Sequence, residues 1–501
     1  MEERRTSRAQ GVAGSLLAGV AKSDITTSEK DAVVNDPLYA KALVLDDGSK
    51  KAAIISVDTT AIGGRDISRE ILYDVSEDFL PALRSRVEKE LEIPGCNILV
   101  NASHTHPPGR LLCNDEEQVK RTFDAIRRAA NNMVPVKVGC GSAREESITV
   151  NRTLRLKSGK HWSIRTTNPC PPDEEVESVG PIDPEIGIIR VDRMDGKVLA
   201  VVYNFACHPL RGVPGRAITA DFPGVASKVI EENLGNGAMA LFLQGAAGDV
   251  IELVNKDVNR PPDPAPHGTI LGLDVLTALE DIKTATAEIN VASETVRLPR
   301  RTDIPERIRL LQEEQAELLN SLRVTSLNIK TFLPLYLKYI MSPNYPSDYS
   351  YRYLQSEKTG SDELLSLDSR NRADIEKYLA NIRSMEKLAR IQDNMGTLRK
   401  HQAINEESGE ATIAAEVQGI RIGNCVVITS PAELLTEIGL NIKSASSYEH
   451  TFVAAFSNGY MHYGPPASYY DKGGYEVTEC LLAPEWQKIY EKKAGEIIGK
   501  L

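Results

Sequence analysis

Short runs of β-branched and aliphatic residues alternate with longer amphipathic stretches over roughly the first 290 residues. Strands are expected at 52–57, 97–100, 186–191, 198–203 and 240–243, and helices near 67–91, 116–133 and 223–234. The runs leading to His104, His208 and Asp249 are apolar almost without interruption, as in strands covered on both faces. The pattern predicts an α/β fold, with β-sheets covered by helices. Around 303 it changes. Residues 303–322 are charged and helical, 335–359 are rich in Tyr, Ser and Pro, and 370–401 are helical again. A helical insertion or subdomain is expected over 303–402, as a lid or an oligomer contact, within one domain formed by 15–302 and 403–501. Strands return at 411–422, 425–429 and 451–456. No internal repeat or low-complexity segment is evident.

Composition narrows the function classes. Hydrophobic residues make up 41% and charged residues 26%, as in an ordinary globular protein. The net charge of −11 gives no basic footprint for nucleic acid or an anionic membrane, and neither a nucleic-acid partner nor stable membrane insertion is expected. No apolar stretch approaches the ~18–20 residues of a membrane span. The weak Gly/Ala-rich run at 11–21 leads straight into Lys22-Ser23-Asp24-Ile25-Thr26, which reads as folded protein rather than a signal peptide. Seven scattered cysteines without a C-x-x-C point to reduced, mostly buried thiols and a cytoplasmic setting. A homo-oligomer is left open.

Four places set polar residues at the ends of apolar strands, where ligands sit in open α/β sheets. In Asn101-Ala102-Ser103-His104-Thr105-His106, an extended backbone would point both imidazoles to one side. Imidazole suits zinc, and both, one or neither histidine is a ligand at this level. His208, in Phe205-Ala206-Cys207-His208-Pro209, is a ligand or a satisfied buried histidine. Gln244-Gly245-Ala246-Ala247-Gly248-Asp249 is a tight turn or an anion-binding nest that orients His208 or a substrate. Glu433, after Ser430-Pro431-Ala432, could complete a His/His/carboxylate zinc set, while the tyrosines of 458–475 read first as packing or substrate contacts.

Together, and in this order, these segments resemble the neutral ceramidase family. The likeness begins at Gly19-Val20-Ala21-Lys22-Ser23-Asp24-Ile25-Thr26 and runs through Ser56-Val57-Asp58, Ser103-His104-Thr105-His106 and Asn151-Arg152. It continues through Phe205 to Pro209, Asp221 with Gly224, Gly248-Asp249, Pro431-Ala432-Glu433, Asn458 to Tyr463 and Tyr475-Glu476. The resemblance implies a neutral-ceramidase-like catalytic domain and Zn2+ held by His104, His208, Glu433 and Tyr463. It implies catalytic positions for His106 and Tyr475 facing the scissile group, and a pocket position for Arg152; Asp249 is placed with the pocket.

Two departures shape the expected chemistry. The family's serine after Gly-Asp is replaced by Ile251, which cannot attack a carbonyl. The family's C-terminal immunoglobulin-like domain has no counterpart in this sequence, so a long-chain ceramide is not the expected substrate. What the resemblance then implies is a zinc-activated water acting on an amide (N-acyl) bond of a soluble small molecule, with His106 moving a proton and Tyr475 donating to the oxyanion. The alternatives are cleavage of an ester, lactone or sugar-derived linkage, or a metal-dependent binding protein without catalysis.

Overall fold

The computed structural model describes residues 15–64, 75–106, 113–165, 170–253, 261–346 and 350–501. The first eight residues expected in the 67–91 helix lie outside this range, as do Pro107-Pro108-Gly109 after the His-x-His segment. The chain divides into two compact units, with the second running from Thr302 to Glu407.

The first unit is built on a mixed eight-stranded sheet. Its strands are β1 (Leu17–Asp24), β2 (Tyr39–Asp46), β3 (Lys51–Val57), β4 (Ile98–Ala102), β5 (Val134–Arg144), β6 (Glu185–Arg193), β7 (Val198–Phe205) and β8 (Met239–Gln244). They are ordered β8-β7-β6-β5-β1-β2-β3-β4, with parallel pairs at β3–β4 and β7–β8. Side chains tie the ends of this order together. Ser56 Oγ donates to the Phe242 carbonyl at 2.6 Å, and Gln244 N–H donates to Asn101 Oδ1 at 2.9 Å. The strands before His104 and His208 are thereby brought near each other.

A second, four-stranded sheet contains β9 (Ile289–Pro299), β10 (Thr412–Ile422), β11 (Cys425–Thr429) and β12 (His450–Ala454), in that order. The uninterrupted apolar runs have a simple cause. In β3, Ala53, Ile55 and Val57 enter one core while Ala52 and Ile54 enter another that also holds Ile420, Val427 and Phe452 of the second sheet. Alternate side chains thus find apolar cover on both faces.

Helices α1 (Phe79–Leu91) and α2 (Asp115–Asn131) share the first of these cores through Phe79, Leu83, Val87, Phe123 and Ile126. Helices α3 (Asp221–Leu234) and α4 (Ala265–Leu279) pack Phe222, Ile230, Leu271 and Val275 against Val201, Tyr203 and Phe242. The expected α/β class and sheets covered by helices are what the structure has.

The helical unit carries α5 (Ile304–Ser321), α6 (Ile329–Met341), α7 (Tyr351–Thr359) and α8 (Glu363–Ser408). The Tyr/Ser/Pro-rich stretch at 335–359 therefore includes much helix. Asn328 makes this possible for α6: its side chain accepts from the Thr331 N–H, and the Thr331 hydroxyl accepts from the Asn328 N–H. The first unit resumes with α9 (Thr436–Ala445) and α10 (Trp486–Ile498).

The thiols differ from expectation. Cys140 of β5 and Cys425 of β11 form a disulfide between the two sheets, with Cα atoms 6.1 Å apart. Of the free cysteines, Cys113, Cys207 and Cys480 are buried and Cys96 and Cys170 exposed. Among the described residues no helix is long and apolar enough to cross a membrane.

Candidate metal centre

His104 follows β4, and its backbone is not extended. Its φ is 64°, in the left-handed region that non-glycine residues avoid. The period-two argument for His-x-His therefore fails in its premise. The two rings converge by a different route, with Nε2 atoms 2.9 Å apart. The turn is held on several sides. His104 N–H donates to the Thr59 carbonyl at 2.9 Å, its Nδ1 lies 2.6 Å from the Thr60 carbonyl, and its ring packs 4.0 Å from that of Phe456. Phe456, Asn458 and His462 also have positive φ, so backbone strain gathers around this site.

His208 follows β7. Its Nδ1 lies 2.6 Å from the Ala247 carbonyl and 3.1 Å from that of Val250. The glycine-rich turn after β8 thus orients this imidazole. Its glycines are needed for close approach: a Cβ on Gly248 would lie 2.6 Å from the Glu433 carbonyl oxygen. Both histidines share one design. Nδ1–H donates to a backbone carbonyl, which fixes the tautomer and leaves the Nε2 lone pair facing inward.

Glu433 supplies the acidic member. Residues 433–434 pair in parallel with 463–464, which sets Glu433 beside Tyr463. Glu433 Oε1 accepts from the Tyr460 hydroxyl at 2.5 Å. Its Oε2 lies 3.3 Å from His208 Nε2 and 3.6 Å from His104 Nε2. His208 Nε2 and Glu433 Oε2 are buried and have no hydrogen-bond partner. Lone pairs therefore face one another in a buried cluster, an arrangement that a cation resolves.

The titration behaviour agrees in direction. Burial holds the His104 imidazole well below the ordinary histidine value, so it is neutral. Burial alone would raise Glu433, but His104, His208 and the Tyr460 hydroxyl reverse this and keep it ionised. The imidazole stabilisation of Glu433 requires charged rings, which burial of His104 opposes. A neutral His104 beside an ionised Glu433 is the state these directions give. His106 is exposed as a residue, yet its Nε2 reaches this buried cluster, and burial of the ring with His208 nearby pulls it below the ordinary value. His104, His106 and His208 alone could present three nitrogen ligands to an ion.

The other expected residues fall into two groups. Arg152, Tyr463 and Tyr475 adjoin the cluster. Arg152 donates to the Tyr463 hydroxyl at 3.0 Å, to the Gly248 carbonyl at 2.8 Å and to Glu476 at 2.7 Å. Burial and Glu433 push the Tyr463 phenol up, so it is neutral, despite Arg152. The half-buried Tyr475 packs 5.4 Å from Tyr463 and lies under the Arg165 guanidinium at 3.6 Å.

Asp249 is differently placed. One oxygen accepts from the Thr436 amide and hydroxyl, both at 2.8 Å, and the other from Asn151 at 2.7 Å. Its carboxylate braces the turn beneath His208. Ile251 is buried and bridges to His208 through the backbone. Three contributors were not singled out by sequence: Tyr460 on Glu433, Phe456 under His104, and Glu476 on Arg152. Tyr460 and Glu476 sit inside motifs that were noticed, whereas nothing local marks Phe456.

No protein-family model matches the chain, and neither does any curated protein. Solved structures do. Neutral ceramidase from Pseudomonas aeruginosa superposes with a TM-score of 0.59 at 16% identity, covering 97% of this chain and 74% of its own. A structure described as ceramidase complexed with C2 gives the same TM-score and identity, with 97% and 75% covered. The chain therefore has the fold of neutral ceramidase.

Proposed function

We propose that this protein is a zinc-dependent hydrolase that cleaves an amide (N-acyl) bond of a small molecule. The solved neighbours are named for ceramide, an amide, and this linkage is what we carry to the present chain. His104 and His208 through Nε2, Glu433 through Oε2 and Tyr463 through its hydroxyl would hold the ion. When bound, zinc supplies a Lewis acid and brings the pKa of water to about 7.

The chain's own residues do the rest. Ile251 stands where the family has serine, and burial pushes the Cys207 thiol well up, so neither of these supplies a nucleophile. Water is then the attacking group. His106, neutral and beside His104, accepts a proton from it and returns it to the leaving nitrogen. The Tyr475 hydroxyl donates to the developing oxyanion. Arg152 fixes the Tyr463 ring and hydroxyl, and its charge is balanced by Glu476.

The observation that carries this reading is the pair of buried, unpartnered atoms, His208 Nε2 and Glu433 Oε2, facing each other beside His104. Purified protein should contain zinc or take it up. Short- and long-chain N-acyl amides, esters, lactones and glycosides, assayed with zinc-loaded protein, should give turnover on the amides. His106→Ala should retain metal and lose turnover. Protein that takes up no metal sinks the proposal. Metal uptake without turnover on any panel favours a binding protein, and turnover unchanged in His106→Ala removes that residue's role.

A further inference from the structure

The loop that follows His208 ends on two buried carboxyl groups that the proposed reaction does not use. Pro209 has no N–H to donate, so the amides after it must anchor the chain. Leu210 and Arg211 N–H donate to Glu252 Oε1 at 2.9 and 2.8 Å, and Gly212 N–H donates to Asp221 Oδ2 at 2.6 Å. Both acids are themselves fixed. Glu252 ends the short strand Val250–Glu252, which pairs with 149–151. Asp221 opens α3 with a φ of 56°, its Oδ1 accepting from the Phe222 N–H at 2.6 Å. Three consecutive amides thus close on a rigid, buried acceptor pair.

This loop touches both sides of the metal centre. It starts at His208, and its Pro209 carbonyl accepts from the His106 N–H at 3.4 Å. Further along, the Thr219 carbonyl accepts from Thr105 Oγ1 at 2.9 Å. The His106 and His208 rings lie 6.0 Å apart with planes 30° from parallel. The two histidines are anchored unequally. His208 has its own supports, with Nδ1 on the Ala247 and Val250 carbonyls and its N–H on the Val250 carbonyl at 2.9 Å. His106 is held through its ring by His104 and through its backbone by Pro209. Loosening the loop therefore displaces His106 more than His208.

We propose that Glu252, assisted by Asp221, is a positioning residue that sets His106 against His208 by clamping the loop whose Pro209 carbonyl holds the His106 backbone. Its consequence for turnover rests on the reaction proposed above, in which His106 moves the proton; the clamp itself is measurable without that reaction. What the clamp needs is an acceptor, not a charge. Burial and the neighbouring Asp221 push the Glu252 carboxyl well up, which favours the uncharged acid. A glutamine would present the same acceptor oxygen at the same reach.

The test compares Glu252→Met and Glu252→Gln with the wild type in the full, zinc-loaded chain. Methionine keeps much of the volume and removes the acceptor. Amide hydrogen exchange in Glu252→Met should accelerate by at least about tenfold at 210–212 and also at His106. Zinc affinity should fall by no more than about threefold, while kcat on the N-acyl amides falls about 10–100-fold at nearly constant KM. Glu252→Gln should keep exchange, zinc affinity and kcat within about twofold of the wild type. Acceleration confined to 210–212 in Glu252→Met overturns the coupling to His106. Equal losses of zinc affinity and turnover overturn it too, because they place the effect on His208. Accelerated exchange or lost turnover in Glu252→Gln overturns the clamp, and does so even where thermal unfolding shows that Glu252→Met is not folded. A wild type that turns over none of the amides defeats the reaction proposed above, and exchange at His106 still decides the clamp.

Discussion

The two units break opposite halves of the same rule. Around His104, His208 and Glu433, polar atoms are buried without partners. Along α6, apolar side chains are exposed without cover. Folded chains normally avoid both. In the first case the neighbourhood is over-determined: carbonyls of Thr60 and Ala247 fix the rings, and Tyr460 fixes the carboxylate. In the second a capped helix with a packed inner side presents a regular outer stripe. Each irregularity is held in place by well-made structure around it, and each calls for something the chain alone does not supply.

The largest expected effect removes the acidic member of the cluster. Partners one step removed from a metal are worth about 10–100-fold in affinity or activity. Loss of the direct ligand in Glu433→Gln should therefore exceed about a hundredfold in zinc affinity, read by titration against a chelator. The metal-free variant should unfold at a higher temperature than the metal-free wild type, because one of the opposed lone-pair groups becomes a donor. Added zinc should stabilise the wild type, by about 2.7 kcal/mol at a hundred times Kd, and not the variant. Equal zinc affinity in the two proteins would show that the converging atoms are not a metal site.

A few ångströms away, Arg152 and Glu476 satisfy each other inside the fold, and this sharpens the contrast. Both are buried, joined at 2.7 Å, and Ser163 also donates to Glu476. Removing one partner leaves an uncompensated buried charge, so Arg152→Met should cost about 3–5 kcal/mol in denaturant unfolding. Adding Glu476→Leu should recover most of that loss. Stability of the double variant no better than that of Arg152→Met would mean that Arg152 matters through Tyr463 and Gly248 rather than through the ion pair.

Much of this was legible in the sequence, for identifiable reasons. The β3 and β4 runs were readable because both faces of those strands are buried, so that apolar residues dominate them and only Ser56 and Asn101, each hydrogen-bonded inside the fold, interrupt the buried pattern. His104, His208, Glu433 and Tyr463 were reachable through short ordered motifs, and the fold brings the first three together with His106. The left-handed turn at His104 was not readable, because it is set by contacts with Thr59, Thr60 and Phe456, distant in sequence. The disulfide was equally hidden: Cys140 and Cys425 are 285 residues apart and meet only because two sheets stack. The α6 helix was obscured by Pro334 and by the Tyr/Ser/Pro-rich composition from 335 onward, while its start depends on the capping pair Asn328 and Thr331.

The smallest expected effect tests whether the exposed stripe belongs to folding at all. Phe332 and Leu333 are neighbours in sequence, the first buried on the packed side of α6 and the second exposed. Phe332→Ala empties an aromatic position stacked on Tyr378 and should cost about 3 kcal/mol, within the usual range for buried aromatics. Leu333→Gln changes an exposed side chain and should alter unfolding free energy by no more than about 0.5 kcal/mol. Guanidinium unfolding of both variants in dilute protein separates the two residues of one helix. A cost of several kcal/mol for Leu333→Gln would mean that the stripe is already buried in solution, against this chain or a second copy. Its apolar character would then serve stability rather than an external surface.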